Sequence, residues 1–183
     1  MQPVISLESG TFHKMTCKGS KKFRSPDGRF RLVISHHQLS GMRDLCSKSH
    51  PLETGGVLTG YYNAGHDTAI VTSAGGPPPD SERGRTRFYR GTQGLGQLLA
   101  SSWRKREYYL GEWHYHPGGS ALPSAADVRQ MQDIARDDKA HCPEPILLVM
   151  GENNAVTAHV FPRNETAIEL TAECATRFPR GRK

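Results

Sequence analysis

The sequence predicts a layered α/β domain built on a mixed sheet with helices packed against it. Three observations lead there. Short runs of β-branched and apolar residues alternate with three stretches of helical periodicity. Some neighbouring runs are joined by tight turns, at Asn63-Ala64-Gly65 and Glu152-Asn153-Asn154, so the sheet is not purely parallel. A length of 183 residues suits one domain with a single core and short tails.

Residues 1–27 are polar, basic and weakly periodic, which reads as an extension with one possible edge strand at Pro3 to Leu7. Phe30 to Ile34 opens the core as a strand. Ser35 is placed to cap a helix in which Leu39, Met42, Leu45 and Cys46 recur at helical spacing to about Ser49, before Pro51 ends it. Val57 to Tyr62 and Thr68 to Thr72 read as strands. The stretch from Gly75 to Gly91 is rich in breakers and charge, and reads as a long loop. Leu95, Leu98, Leu99 and Trp103 mark a second helix. Tyr108 to His114 is a strand, Pro117-Gly118-Gly119 a loop, and a third helix starts near Ser124 with Val128, Met131, Ile134 and Ala135 on one face. Ile146 to Met150 and Val156 to Phe161 are further strands, and Ile168 to Leu170 adds a last one. The domain is expected over 28–175, with a basic tail at 176–183.

Apolar residues make up 36% and charged residues 23%, an ordinary globular composition. No apolar run approaches membrane-spanning length, so no membrane partner is expected. The N-terminus lacks a basic region followed by an apolar stretch, which sets a cytoplasmic location as the expectation. Cys17, Cys46, Cys142 and Cys174 show no C-x-x-C spacing and are read as free thiols without a role. The net charge of +6 is concentrated toward the ends of the chain. Without aromatic residues interleaved among the basic ones it is read as solvated, and nucleic acid is not expected as a partner.

The chemistry is concentrated in Gly111-Glu112-Trp113-His114-Tyr115-His116-Pro117 and Ser124-Ala125-Ala126-Asp127. On a strand, residues two apart share a face, so His114 and His116 can address one metal while Trp113 turns into the core. Asp127, just inside the next helix, can fold back as a third ligand. Two imidazoles and a carboxylate leave a fourth tetrahedral position for water, the catalytic zinc pattern. Ser124-x-x-Asp127 is equally a capping box, and the two roles are compatible. Glu53 precedes Gly55 and Gly56, which permit close backbone approach at a strand entry and a carboxylate drawn in from solvent.

Glu53, His114-x-His116, Ser124 and Asp127 together fill the pattern E…H-x-H-x7-S-x2-D, which resembles the JAMM signature of the JAB1/MPN metalloproteases over roughly Phe30 to Phe161. The resemblance implies an MPN fold, a cytidine-deaminase-like layered domain with a mixed, curved sheet, and zinc-dependent hydrolysis of isopeptide or peptide bonds. It implies zinc ligation by His114, His116 and Asp127, general acid/base chemistry by Glu53, and oxyanion stabilisation by Ser124. The strings Ser25 to Phe30, Glu53 to Gly60 and Leu110 to Pro117 resemble a bacterial JAB branch that includes the deconjugases of CBASS anti-phage operons. That likeness implies, as substrate, a flexible C-terminal tail of a cGAS-like nucleotidyltransferase, conjugated by an E1–E2-like enzyme. Such a tail would lie extended beside the sheet, gripped by the loop from Gly75 to Gly91, where Arg83, Arg85, Arg87 and Arg90 are placed to meet an acidic partner.

Four other readings compete. A JAB protease for another ubiquitin-like protein shares every motif. A DNA-repair JAB protein shares Pro123-Ser124-x-x-Asp127 and suits the basic charge. A non-catalytic MPN scaffold would lack ligands that are present here. A zinc deaminase would need H-x-E and P-C-x-x-C, which Cys142-Pro143 does not supply.

Overall fold

The computed structural model describes residues 19–173. The three helices and seven of ten strands follow the order expected, and three short strands are additional, with β1 (Ser20–Arg24), β2 (Arg31–Ser35), α1 (His36–Ser49), β3 (Thr54–Tyr62) and β4 (Thr68–Ala74) first. A minimal hairpin follows, β5 (Glu82–Arg83) and β6 (Phe88–Tyr89), then α2 (Leu95–Arg104), β7 (Tyr108–Tyr115) and α3 (Ala125–Arg136). The chain closes with β8 (Ile146–Met150), β9 (Val156–Val160) and β10 (Ile168–Ala172).

Eight strands form one mixed sheet in the order β1-β10-β9-β8-β7-β3-β4-β2, which closes into a barrel. The pairs β2–β4 and β7–β8 are parallel, and the others are antiparallel. The mixed sheet is as expected. Its closure depends on β1, which lies in the segment read as an extension. Lys21, Lys22 and Arg24, taken there as solvated basic residues, sit on a strand paired with both β2 and β10. The reason is Phe23, 1% exposed in the core, whose partners across the sheet are Leu32 and Ala172. Pairing both edges leaves no open template in the main sheet. The domain therefore starts no later than Ser20 rather than at 28. The possible strand at Pro3 to Leu7, Cys17, Cys174 and the tail at 176–183 lie outside the described residues.

Helices α1 and α3 cover opposite faces of the β7–β8 pair. Leu39, Met42 and Cys46 of α1 pack into the core that holds Trp113, Leu148 and Met150. Met131 of α3 packs with Leu147, Val149 and Phe161 on the other side. Burial on both faces explains why β8 is apolar at every position. Ser35 caps α1 by accepting from the Gln38 amide, as its position suggested. Helix α2 forms where its periodicity places it, yet its apolar stripe is only partly covered. Leu98 is 40% and Trp103 67% exposed, the indole resting edge-on against Tyr108 at 5.2 Å. The Gly75 to Gly91 segment is irregular apart from the β5–β6 hairpin. Cys46 and Cys142 are free and buried.

Candidate metal centre and its cleft

The site is assembled by register. β3 runs antiparallel to β7 with Gly55 opposite His114 and Thr54 opposite Tyr115. Continuing that ladder by one residue sets Glu53 beside His116. A side chain at Gly55 would collide with the Trp113 carbonyl and crowd the Phe88 and His114 rings at 2.8 and 3.0 Å. Glycine therefore lets the strand entry carrying Glu53 close onto the histidines, the approach inferred for the Gly55-Gly56 pair. The Glu53 amide also donates to the Gly84 carbonyl at 2.8 Å, which ties the hairpin turn to the same corner.

His114, on β7, and His116, one residue past its end, turn to the same side, and α3 brings Asp127 against both. His114 Nδ1 lies 2.6 Å from Asp127 Oδ1, and His116 Nε2 lies 3.4 Å from Asp127 Oδ2. The three residues offer ligand atoms within 4.8 Å of one another. The capping box is present as well, since Ser124 Oγ accepts from the Asp127 amide at 3.2 Å and Asp127 Oδ2 accepts from the Ser124 amide at 2.7 Å. One carboxylate thus terminates a helix and faces two imidazoles. Trp113 points the other way, fully buried, with its indole N–H donating to the Gly75 carbonyl at 2.7 Å. Tyr115 is also on that far side, its hydroxyl 3.1 Å from His50 Nδ1.

Glu53, His116, Ser124 and Asp127 border one cleft of about 830 Å³. Arg85 and Arg87 line it with Arg129 of α3, and all three are exposed. Arg83 does not border the cleft but lies exposed on β5. Arg90 is not free for a partner, because its Nε donates to Glu112 Oε1 at 2.8 Å. Neither Phe88, which packs edge-on against His114 at 5.5 Å between ring centres, nor Gln130 of α3 stood out in the sequence. An isolated Phe and Gln carry no periodic or motif signal.

The electrostatics suit a metal. Burial pushes Glu53 above the ordinary carboxylate range. Asp127 is also partly desolvated, but its hydrogen bonds to His114 and His116 outweigh burial and hold it well below that range. Burial disfavours charge on His114, yet the Asp127 and Glu112 carboxylates prevail and raise it to about 9. The donor set fits zinc in kind, with two nitrogens and one carboxylate. His114 Nδ1 and His116 Nε2 both turn toward the Asp127 carboxylate, the convergence of donor atoms that a shared metal ion needs.

Two imidazoles and a carboxylate gathered beside a cleft with a desolvated glutamate, on a mixed α/β barrel, fit one class of protein, the metal-dependent hydrolases. The chain belongs to the prokaryotic homologs of the JAB domain, whose family model matches residues 35–164. It is therefore a JAB-type hydrolase. It is 40% identical over 152 residues to a CD-NTase/cGAS isopeptidase of Enterobacter hormaechei subsp. hoffmannii, covering 81% of this chain and 84% of that protein. It is 29% identical over 108 residues to a probable metalloprotease of Sinorhizobium fredii, covering 57% of this chain and 65% of that protein. The fold also resembles the solution structure of a Desulfitobacterium hafniense protein, with a TM-score of 0.57 at 20% identity over 74% of this chain and 87% of that one. Among the described residues, no helix is long and apolar enough to cross a membrane.

Proposed function

We propose that the protein is a zinc-dependent isopeptidase that removes the C-terminal tail of a cGAS-like nucleotidyltransferase from its conjugate. The observation that carries the reading is the convergence of His114, His116 and Asp127 on one another, with His116 and Asp127 bordering the cleft that Glu53 also lines. The substrate class is supported by the likeness to the Enterobacter isopeptidase. An E1–E2-like enzyme would make the conjugate, and the setting would be cytoplasmic anti-phage defence.

His114, His116 and Asp127 would hold zinc, which when bound acidifies water and polarises a carbonyl. Glu53 accepts a proton from the attacking water and returns it to the leaving amine. Its raised affinity for protons suits both halves of that exchange. Ser124 Oγ accepts from the Asp127 amide, so its own O–H remains free to donate to the oxyanion forming on the scissile carbonyl. The β5–β6 hairpin overhangs the cleft through Phe88 and Tyr89, and a tail laid beside it would gain backbone hydrogen bonds with little sequence demand. Arg85, Arg87 and Arg129 would meet acidic residues of the partner.

The test is a nucleotidyltransferase C-terminal tail joined to a reporter through an amine. Cleavage is expected at the junction and is abolished by chelation. Hydrolysis within the reporter, or of DNA instead, would reject the assignment. Replacing the tail with that of another ubiquitin-like protein separates the general JAB reading from this one.

Metal loading should also release protons. In the metal-free protein His114 is raised to about 9, and His116 is raised chiefly by its hydrogen bond to Asp127. The His114 ring therefore carries a proton at neutral pH, and a ligating imidazole must be neutral. Zinc binding near pH 7 is expected to expel about one proton per site from His114, a release that fades as pH rises through about 9. Calorimetric titration in buffers of different ionisation heat measures this. Release that is absent at neutral pH would show that His114 is not held protonated by the carboxylates.

A further inference from the structure

Glu112 lies two residues before His114 on β7 and therefore on the same face, and no step of the mechanism uses it. It is 0% exposed. A carboxylate so completely removed from water persists only when its oxygens are satisfied. Oε1 accepts from Arg90 Nε at 2.8 Å and from the Tyr109 hydroxyl at 3.2 Å. Oε2 accepts from Gln130 Nε2 at 2.8 Å. That same oxygen faces His114 Nε2 at 3.5 Å, an ion-pair distance too long for a good hydrogen bond. Nε2 is the ring nitrogen left without a hydrogen-bond partner, while Nδ1 is turned to Asp127.

Three parts of the chain converge on this carboxylate. Arg90 follows the hairpin, Tyr109 comes from β7 and Gln130 from α3. Their hydrogen bonds leave Glu112 little freedom, so its Oε2 is a fixed acceptor pointing at one edge of the His114 ring. Metal-binding histidines characteristically donate their second ring N–H to a carboxylate, which sets the tautomer and the ring orientation. We propose that Glu112, clamped by Arg90 and Gln130, is the positioning residue that fixes the tautomer and orientation of His114 for metal binding. The inference rests on the reading of His114 as a metal ligand. It makes Arg90 part of the metal centre's support rather than of a substrate grip. The competing view is that Glu112 only neutralises Arg90 and anchors the hairpin.

The test uses the full chain and the variant Glu112→Gln, which keeps the shape but replaces one acceptor oxygen with an amide donor. Two readouts are taken: zinc affinity by competition with a chelator, and the ¹⁵N shifts of His114 in the zinc-loaded protein, which report its tautomer. Zinc affinity is expected to fall about ten- to a hundredfold, the usual effect of losing such a partner. The ring should also move from one tautomer to a mixture. Unchanged affinity with an unchanged tautomer overturns the proposal, whatever happens to thermal stability. Should E112Q not fold, Gln130→Ala decides, because it frees the oxygen that faces His114. A several-fold loss of zinc then supports the proposal, and wild-type affinity overturns it. If the wild-type protein itself takes up no zinc, the ligand reading of His114 has failed instead, and the two failures are distinguishable.

Discussion

Glu53→Gln is expected to keep its zinc and lose between about a hundred- and ten-thousand-fold in turnover, the range that general acid–base catalysis supplies. The amide is nearly isosteric with the acid, so the backbone bond from Glu53 to the Gly84 carbonyl and the close approach at Gly55 are untouched. What changes is that no group at the strand entry can accept the proton of the attacking water. The same group returns that proton to the leaving amine, so both halves of the exchange fail and the loss should lie toward the upper end. Affinity for an unreacted tail should be preserved, because the proposed contacts are with the hairpin and the cleft arginines. Zinc content, tail binding and single-turnover rate measured on one preparation check all three statements. Near wild-type turnover with zinc in place would make Glu53 a bystander and require another base in the cleft.

His114→Ala and Asp127→Ala are expected to lose most of the bound metal, and with it all detectable cleavage. Two remaining donors hold zinc far less tightly than three. The two variants should differ in a second respect. Asp127 also accepts from the Ser124 amide at the start of α3, so its removal unmakes half of a capping box. That leaves the Ser124 amide without its capping-box partner, so metal-free Asp127→Ala should unfold at lower temperature for that reason alone. Asp127→Asn keeps an oxygen for the cap but is a poorer, uncharged ligand, so it should recover stability without recovering metal. Metal analysis and thermal unfolding of the metal-free proteins separate the two roles. Full zinc retention in both alanine variants would remove His114 and Asp127 from the proposed centre.

Much of the site was legible because its chemistry is local. His114 and His116 share a strand face through the two-residue period. Ser124 and Asp127 announce a helix start, and Gly55-Gly56 after Glu53 signals a close approach. Trp113 was readable as core for the same reason. Arg83, Arg85, Arg87 and Arg90 were indistinguishable in sequence, because charge on a breaker-rich loop says nothing of direction. The fold sends Arg85 and Arg87 to the cleft, leaves Arg83 outside it, and spends Arg90 on a buried carboxylate. Phe88, Arg129 and Gln130 reach the site from segments with no local mark of function.

By itself the sequence determined the order of seven strands and three helices, the mixed sheet, and the residue types proposed to hold a metal and move a proton. All of these follow from periodicity, capping and spacing within a few residues. Tertiary structure alone decided that Ser20–Arg24 closes the sheet into a barrel, since pairing with β2 and β10 depends on edges remote in the chain. It also decided that α2 keeps Leu98 and Trp103 open to solvent, because periodicity shows that a helix has an apolar stripe but not what covers it. And it decided that Glu112 stands behind His114, with all its oxygens engaged by residues from β7, α3 and the hairpin's end. An acid within a strand is ordinarily solvated, and here Arg90, Tyr109 and Gln130, brought together only by the fold, take the place of the water that would keep it so.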